Sequence, residues 1–326
     1  MKKIALMTGG NSGEYEVSLK TAKNIMEMLD KSLFIPYLIH LKGNSWSYTH
    51  TDGRVIEIDK NDFTISLDGE KIAFDAVFIA IHGNPGENGR LQAYFDMIDL
   101  PYTGCDMLSS ALTFNKYYCN LTVAALDVPV SRSLHFFKGD VISSQQVADV
   151  CQFPCFVKPC NSGSSVGVTK VHNEQELNQA VEEAFRYDSQ LMIEKFIPGR
   201  EVTCGVAKID GKIRALAVTE IKSKKEYYDF EAKYTPGFLE LVTPAEISTE
   251  MRDTIFKYSE RIFKELGCAG VVRIDYIITP QGIPYFLEIN TIPGQTAMSI
   301  VPRQIKYLGL DLTQIYTGLI EEALEK

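Results

Sequence analysis

Residues 271–290 read VVRIDYIITPQGIPYFLEIN, and this stretch says more about the fold than any other part of the chain. Two runs in which apolar and polar residues alternate flank Pro280-Gln281-Gly282, which is typical of a β-hairpin with a tight turn. A turn centred on Gln281-Gly282 gives the hairpin one almost wholly apolar face, as expected for an antiparallel pair buried on one side. That face carries Val272, Ile274, Tyr276, Ile278, Tyr285, Leu287 and Ile289.

The opposite face of the hairpin is polar, and the same register pairs Asp275 with Glu288 and Arg273 with Asn290. Carboxylate and amide oxygens are the ligands of Mg²⁺ or Mn²⁺ rather than of zinc. An arginine beside a metal site is repelled unless an anion lies between them, and a phosphate chain would satisfy both. A solvated ladder of charges is the ordinary alternative on a strand. The continuation from Asn290 to Pro-Gly294, together with the motifs described below, favours the metal site.

The composition is that of a globular protein with room for two or three domains: 326 residues, 45% hydrophobic and 23% charged. The net charge of −9, with no basic run longer than residues 222–225, argues against nucleic acid and anionic membranes as partners. No stretch approaches the length of a membrane-spanning helix, and the first ten residues predict a strand rather than a signal peptide. Seven cysteines without a C-x-x-C pair are expected to be reduced thiols in the cytoplasm.

Residues 1–105 alternate strand and helix patterns, which predicts an N-terminal, Rossmann-like α/β domain with a doubly wound sheet. The predicted strands are Lys3–Met7, Phe34–Leu41 and Ala76–Ile81, the predicted helices are Glu16–Leu29 and Leu91–Ile98, and residues 45–73 are read as an inserted hairpin.

Two further α+β domains are predicted, over residues 106–194 and residues 195–326. The first has one long predicted helix, Ser109–Leu126, a variable connector, strands Cys155–Lys158, Val166–Val171 and Gln190–Ile197, and a helix Glu174–Phe185. The second is rich in strands, with predicted helices Thr249–Leu266 and Leu312–Leu324 around the hairpin. Its long charged segment, residues 222–237, indicates a functional lid.

Two more motifs are compatible with nucleotide binding. Residues 157–168, VKPCNSGSSVGV, form a small-residue loop whose N–H groups and hydroxyls could surround phosphate oxygens, with Lys158 as a point charge. This loop is not a Walker motif, since no Gly-Lys-Ser/Thr occurs and a strand follows it. Residues 192–202, MIEKFIPGREV, join two strands through a Pro-Gly turn and could present main-chain groups to an adenine edge. Taken alone, each motif is explained at least as well by an ordinary loop or turn.

The three motifs occur in the order of the ATP-grasp fold, and the chain resembles the D-alanine–D-alanine ligase family over nearly its whole length. The resemblance is carried by residues 9–18 (GGNSGEYEVS), 82–89 (HGNPGENG), 100–104 (LPYTG), 163–167 (GSSVG), 230–234 (FEAKY), 273–275 (RID), 288–294 (EINTIPG) and 299–302 (SIVP). Three positions depart from the family pattern: Asn88 stands for the usual Asp, Met298 for a frequent His, and Tyr276 for an aliphatic residue. None of the three removes an expected ligand or catalytic group.

The resemblance implies that ATP binds between the second and third domains together with two Mg²⁺ or Mn²⁺ ions. The residues expected to bind ATP are Lys116, Lys158 and Lys233 at the phosphates, Ser165 in the phosphate loop, Glu194, Lys195 and Ile197 at the adenine, and Glu201 at the ribose. The residues expected to bind metal are Asp275, Glu288 and Asn290, which agrees with the register of the hairpin.

The resemblance also implies a ligase that joins two D-alanines through an acyl phosphate and supplies peptidoglycan synthesis. The residues expected at the reacting centre are Glu14 for the ammonium of the first D-alanine, Arg273 and Gly294 for the oxyanion, Ser299 and Ile300 for the second carboxylate, Ser164 and Tyr234 in closing loops, and His82 at the substrate mouth. Family members are commonly homodimers, so a cytoplasmic homodimer is expected.

Other functions have some support in the sequence. A D-alanine–D-lactate ligase, or another ATP-grasp carboxylate–amine ligase, would share most of this site, although Tyr234 after Lys233 argues against the lactate ligase. An NAD-dependent oxidoreductase is suggested by residues 9–13 (GGNSG) after the first strand, but the G-x-G-x-x-G spacing is missing. A non-catalytic nucleotide-binding module conflicts with the complete set of expected ligands.

Overall fold

The computed structural model describes residues 1–223 and 239–325, and its first sheet is the predicted α/β unit. Strand β1 (Lys2–Gly9) lies parallel to both β2 (Phe34–Lys42) and β7 (Ala76–Ile79). Antiparallel strands extend the sheet in the order β4-β3-β2-β1-β7, and a small ribbon lies apart from it. These remaining strands are β3 (Ser45–Thr49), β4 (Val55–Glu57), and the ribbon strands β5 (Ile65–Leu67) and β6 (Glu70–Ile72). Helices α1 (Tyr15–Met28) and α2 (Arg90–Met97) lie close to their predicted bounds.

Strand β1 is buried on both faces, as its unbroken apolar run predicts. Ile4 and Leu6 belong to a core that includes residues of α1, whereas Ala5 and Met7 belong to a second core around Phe63. All four β1 residues have no exposed surface. Because successive side chains of a strand point to opposite faces of the sheet, these two cores cover its two sides, which is the doubly wound arrangement.

The second sheet is antiparallel, in the order β10-β9-β11-β8, and it carries the small-residue loop. Its strands are β8 (Ser133–Phe137), β9 (Cys155–Pro159), β10 (Thr169–Val171) and β11 (Gln190–Lys195). Two helices, α5 (Ser144–Val150) and α6 (Glu174–Ala184), share its core around Val157 and Ile193. The loop over residues 160–168 therefore joins two paired strands, which fix both of its ends.

The third sheet is antiparallel, in the order β14-β13-β12-β15-β16. Its strands are β12 (Arg200–Ile209), β13 (Lys212–Ser223), β14 (Leu239–Val242), β15 (Val271–Ile278) and β16 (Pro284–Asn290). The helices packed around it are α3 (Met107–Phe114), α4 (Lys116–Ala124), α7 (Thr249–Glu265), α8 (Ile300–Tyr307) and α9 (Leu312–Leu324). The three domain boundaries stay predictions. Within the described ranges, no helix combines the length and apolarity that a membrane span requires.

Several predicted elements differ from the structure. The single helix predicted over residues 109–126 is two helices, because Asn115 is extended (φ −82°, ψ 105°) and its side chain accepts from the Tyr118 N–H at 3.1 Å, which caps α4. The strand predicted over residues 166–171 is confined to β10. The variable connector contains β8 and α5, and α8 is an additional helix. Short elements of this kind carry too few periods of a pattern to be recognised in the sequence.

The hairpin pairs the expected polar residues, Asp275 with Glu288 and Arg273 with Asn290, but through a different turn. Three residues, including Gly282 at φ +76°, separate the bonded ends Thr279 and Ile283, and this turn shifts the pairing by one residue. A bulge at residue 287 restores it. The face assigned to Tyr285 and Leu287 is therefore wrong: Phe286, 3% exposed, packs in the core instead.

Candidate active site

The polar face of the hairpin is organised around the Asp275 carboxylate. Arg273 Nε and Nη2 donate to its two oxygens at 2.9 and 2.8 Å, and Thr203 on the neighbouring strand β12 donates to it as well. Asp275 is only 2% exposed. Its carboxylate is therefore buried and held in one orientation, and it orients the guanidinium of Arg273 in turn.

Asn290 tests whether this face suits a metal ion. Its Oδ1 is buried and accepts a hydrogen bond from no described residue. A buried oxygen left unsatisfied costs on the order of 1–3 kcal/mol, and a cation would satisfy it. Oxygen atoms of Asp275, Glu288 and Asn290 together fit Mg²⁺ or Mn²⁺. Because residues 1–223 and 239–325 contain no group of three His, Cys, Asp or Glu side chains suited to a metal, the set depends on the Asn290 amide.

A cavity of about 200 Å³ lies beside this face and is lined from both the second and third sheets. It brings together all of the expected ATP-binding residues that the structure describes: Lys116, Lys158, Ser165, Glu194, Lys195, Ile197 and Glu201. Lys233 lies outside the described residues. Two aromatic side chains that the sequence analysis missed, Phe156 and Phe196, meet edge to face in the lining with centroids 6.0 Å apart. Each is an isolated phenylalanine in an ordinary strand pattern, so the sequence gave no indication that the two rings line the same cavity.

The lysines of this cavity differ in what they contact. Lys158 Nζ donates to Glu194 Oε1 at 2.5 Å, and both side chains are 7% exposed, so the pair is buried. Lys195 Nζ instead donates to Gln152 Oε1 at 2.7 Å. Lys116 begins α4 directly after the Asn115 cap, and its Nζ lies 3.5 Å from Glu288 Oε2. The break between α3 and α4 therefore positions Lys116 beside the hairpin.

A second cavity, of about 400 Å³, adjoins the first and shares Lys116 and Glu288 with it. The expected reaction-centre residues that line it are Glu14, His82, Ser164, Arg273, Gly294, Ser299 and Ile300, and Asn290 lines it as well. Tyr234 lies outside the described residues. The residues expected for substrate and oxyanion therefore surround one space, together with Glu288 and Asn290 of the expected metal ligands. Asp275 is buried behind this face and lines neither cavity.

The small-residue loop closes against the N-terminal unit through Glu14. Ser164 Oγ donates to Glu14 Oε1 at 2.6 Å, and a Cβ at Gly163 would lie 2.9 Å from Glu14 Oε2. Ser164 and Ser165 have φ of 50° and 58°, in the left-handed region that side chains other than glycine adopt rarely. The two residues of this strained turn face different cavities, since Ser164 lines the larger and Ser165 the smaller.

The far end of the larger cavity is formed by Gly294 and the start of α8. Ser299 is the N-cap residue of α8 but does not cap it with its side chain; instead its Oγ accepts from the Thr296 N–H at 3.1 Å. The first N–H groups of α8, from Ile300 onward, are therefore left without that cap beside the cavity. Such a helix N-terminus suits a carboxylate.

His82 contacts both neighbouring elements with its ring. Nδ1 lies 2.7 Å from the Ile292 carbonyl oxygen, and Nε2 lies 2.8 Å from Thr21 Oγ1. Because Ile292 offers only an acceptor, Nδ1 carries the proton and the Thr21 hydroxyl donates to Nε2. Burial lowers the pKa of His82, with the nearby Glu14 opposing that change. The ring is therefore neutral and ties α1 to the loop that carries Gly294.

Glu87 is a cavity residue that the sequence analysis did not single out. It is 9% exposed, and burial, followed by the negative charge of Glu14, raises its pKa to about 8. A glutamate in the glycine-rich run of residues 82–89 was visible in the sequence, but its burial and its closeness to Glu14 depend on how that turn packs.

Two α+β units that face each other across a cavity lined by lysines, with an acidic hairpin beside it, define the class: the chain has the ATP-grasp fold. A family model for the D-ala D-ala ligase N-terminus matches residues 3–105, and one for the D-ala D-ala ligase C-terminus matches residues 122–321. The chain belongs to the D-alanine–D-alanine ligase family.

Individual relatives agree over the full length. The chain is 44% identical over 324 residues to a D-alanine–D-alanine ligase of Parabacteroides distasonis, covering 99% of this chain and 98% of that protein. Among solved structures, D-alanyl-alanine synthetase A of Vibrio cholerae superposes with a TM-score of 0.90 at 29% identity, covering 100% and 99% of the two chains. The VanG D-Ala:D-Ser ligase of Enterococcus faecalis superposes with a TM-score of 0.89 at 33% identity, covering 98% of each.

Proposed function

We propose that this protein is an ATP-dependent ligase that joins two D-alanines into D-alanyl-D-alanine for peptidoglycan synthesis. The observation that carries the proposal is the pair of adjoining cavities, which share Lys116 and Glu288. One cavity has the residues for ATP, the other has those for two amino acids, and the phosphate chain would lie at their junction. Membership of the D-alanine–D-alanine ligase family supports the same substrates.

In this proposal Lys116 and Lys158 bind the phosphates, and the strand end at Glu194–Ile197 binds the adenine. Two divalent cations, Mg²⁺ or Mn²⁺, would be held by Asp275, Glu288 and Asn290, and they neutralise phosphate charge when bound. The buried, unsatisfied Oδ1 of Asn290 supports this ligand set within the described part of the chain. Lys158 is paired with Glu194 before the nucleotide binds, so the positive charge of Lys158 is already partly compensated.

The first step activates a carboxylate. A carboxylate oxygen of the first D-alanine attacks the γ-phosphorus of ATP, and the bond from that phosphorus to the β-γ bridging oxygen breaks. ADP is the leaving group, and the product is an acyl phosphate. Glu14 binds the ammonium of this D-alanine. Since Ser164 Oγ donates to Glu14 Oε1 at 2.6 Å, the loop that covers the phosphates also orients the residue that binds the first substrate.

The second step forms the peptide bond. The neutral amine of the second D-alanine attacks the acyl carbon, the bond to the phosphate oxygen breaks, and the nitrogen releases one proton. Arg273 and the Gly294 N–H stabilise the oxyanion of the tetrahedral intermediate. The second carboxylate binds Ser299 and the Ile300 N–H at the start of α8. Water would hydrolyse the acyl phosphate, so the site must exclude it. The lid predicted over residues 222–237 lies outside the described residues from residue 224 onward.

The proposal includes a homodimer in the cytoplasm, which rests on the family alone. Acceptors other than D-alanine are the main alternative, since the structural relative VanG is a D-Ala:D-Ser ligase. A phosphate-release screen decides between them: ATP with D-alanine, L-alanine, D-serine and D-lactate, each alone and paired with D-alanine. We expect release with D-alanine alone and a dipeptide product by chromatography. No phosphate release with D-alanine would overturn the proposed function.

A further inference from the structure

Glu87 lies in a turn that is bound tightly to the segment carrying Glu14. Ser12 Oγ donates to the His82 carbonyl oxygen at 3.0 Å, and the His82 N–H donates to Ser18 Oγ at 3.0 Å. The turn then folds back on itself, because the Glu87 N–H donates to the Gly83 carbonyl oxygen at 2.9 Å. These contacts hold the turn of residues 82–87 against the segment of residues 12–18, and both Glu14 and Glu87 line the larger cavity.

Gly83 lies between the two acids. A Cβ at Gly83 would lie 3.3 Å from Glu14 Oε2, and the Gly83 N–H favours the charged form of Glu87. Both Glu14 and Glu87 line the cavity, so a group placed there meets two carboxyls across one glycine. A side chain at residue 83 would fill this space, and the φ of Gly83, +68°, also favours glycine.

Within residues 1–223 and 239–325, no ion pair joins Glu87 to a lysine or arginine. Arg273 is the cation that lowers its pKa, but that guanidinium is bound to Asp275. Burial and the negative charges of Glu14 and Glu288 act in the opposite direction, so the pKa is raised to about 8. Among the described residues, the charged and titratable groups around Glu87 are Glu14, His82, Arg273 and Glu288, with Lys20 and Lys116 also in the cavity lining. At neutral pH the free protein therefore holds a proton on Glu87 that a bound cation would displace.

We propose that Glu87 is a second substrate-binding carboxylate, which flanks the ammonium of the first D-alanine together with Glu14 and releases its proton to solvent as that ammonium binds. The exchange is balanced: the carboxylic acid becomes a carboxylate, the substrate keeps its ammonium, and one proton passes to the buffer. This inference rests on the proposed function, because it takes D-alanine as the first substrate. Its consequence is that affinity for the first D-alanine depends on pH below about 8, through the raised pKa of Glu87.

The sign follows from the two forms of Glu87. Since the charged form binds the ammonium, the KM for the first D-alanine should fall as pH rises from 6.5 to 8.5, by up to about tenfold per pH unit below the pKa. In Glu87→Gln this slope should disappear, with the KM near the wild-type value at low pH. The exposed residue Glu70 provides the matched control, since Glu70→Gln removes one carboxylate far from the cavity and should keep the wild-type slope.

Calorimetry supplies a readout that a structural role would not change. D-alanine is titrated into the protein with a non-hydrolysable ATP analogue at pH 7, in two buffers of different ionisation enthalpy. Wild type should release close to one proton, and Glu87→Gln almost none. Glu87→Asp keeps an ionisable group and should retain proton release if Glu87→Gln proves unstable by thermal melting. A Glu87→Gln protein that makes dipeptide with unchanged slope and proton release would overturn this role alone, whereas absence of dipeptide from wild type would overturn the proposed function.

Discussion

Arg273 and Asp275 stand two positions apart on β15 and form a two-point ion pair, with N–O distances of 2.9 and 2.8 Å. Residues i and i+2 of a strand share one face, so the register that exposes the arginine to the cavity also places the carboxylate beside it. The guanidinium plane is therefore set before any substrate binds. A preorganised donor of this kind stabilises an oxyanion without reorienting during the reaction.

We expect Arg273→Lys to keep the charge but to lose this planar, two-point contact. Turnover should fall by about 10²–10³-fold, the loss typical of one oxyanion donor, while the affinity for ATP changes little. Steady-state phosphate release and ATP titration measure the two effects. Arg252→Lys, a change at an exposed arginine of α7, is the control and should leave both unchanged. Turnover of Arg273→Lys within a few-fold of wild type would contradict the assigned role.

Glu288→Gln tests the metal face. The side chain is 33% exposed and lies 3.5 Å from Lys116 Nζ, so the amide should fit without disturbing the fold. Bound metal contributes several kcal/mol to phosphoryl transfer, and we expect turnover to fall by roughly 10²-fold or more. The melting temperature of Glu288→Gln should stay within a few degrees of wild type. The control Glu321→Gln, on α9, should show the same small change in melting temperature. The metal assignment is wrong if Glu288→Gln turns over normally at the same Mg²⁺ concentration.

The pairing of the four polar hairpin residues could be predicted from the sequence because burial of one face leaves a single acceptable register. The bulge at residue 287 could not be predicted from the sequence. The three-residue turn shifts the register by one residue and the bulge shifts it back, so the pairing of the four polar residues is the same with or without them. As a result, Phe286 packs in the core in place of Tyr285 and Leu287. All three residues are apolar or aromatic, so composition alone did not indicate which of them faces the core.

The break at Asn115 shows a different limit. Its capping side chain is a local signal, but the flanking residues continue a helical pattern, and only packing of α3 and α4 on the third sheet selects the break.

Glu87 and the Lys158–Glu194 pair show a third limit. Sequence gives their residue types, whereas burial and mutual distance arise when separate elements meet. The tertiary contacts, not the motifs, determine which charges are compensated.

Lys158→Ala should lower both stability and nucleotide affinity. Removing one partner of a buried pair leaves the Glu194 carboxylate without its cation, at a cost of about 3–5 kcal/mol in the free energy of unfolding. The affinity for ATP should weaken much more than the affinity for D-alanine, since Lys158 lines the nucleotide cavity. Denaturant unfolding and calorimetric titration of both ligands provide the measurements.

The double change Lys158→Met with Glu194→Gln separates the two effects. Without either charge, the free energy of unfolding should return close to wild type, because replacing a whole buried pair is often nearly neutral. The affinity for ATP should stay weak, because the phosphate-binding cation and the carboxylate expected at the adenine are both missing. Recovery of ATP affinity in the double variant would mean that Lys158 acts only through Glu194, and its role at the phosphates would have to be abandoned.

Gly294→Ala probes the acceptor end of the larger cavity. An added Cβ would lie 2.8 Å from Ser299 Oγ, which already accepts a hydrogen bond from the Thr296 N–H, so the serine must shift. We expect the KM for the second D-alanine to rise several-fold while the KM for ATP is unchanged, because the strain falls beside α8 and away from the nucleotide cavity. Gly318→Ala is the matched control: a Cβ there meets no atom within 4 Å, and in an exposed position of α9 it should raise the free energy of unfolding by about 0.5–1 kcal/mol. Initial rates fitted with two alanine sites distinguish the variants. An unchanged second KM in Gly294→Ala, with normal kinetics in Gly318→Ala, would show that Ser299 does not hold the acceptor.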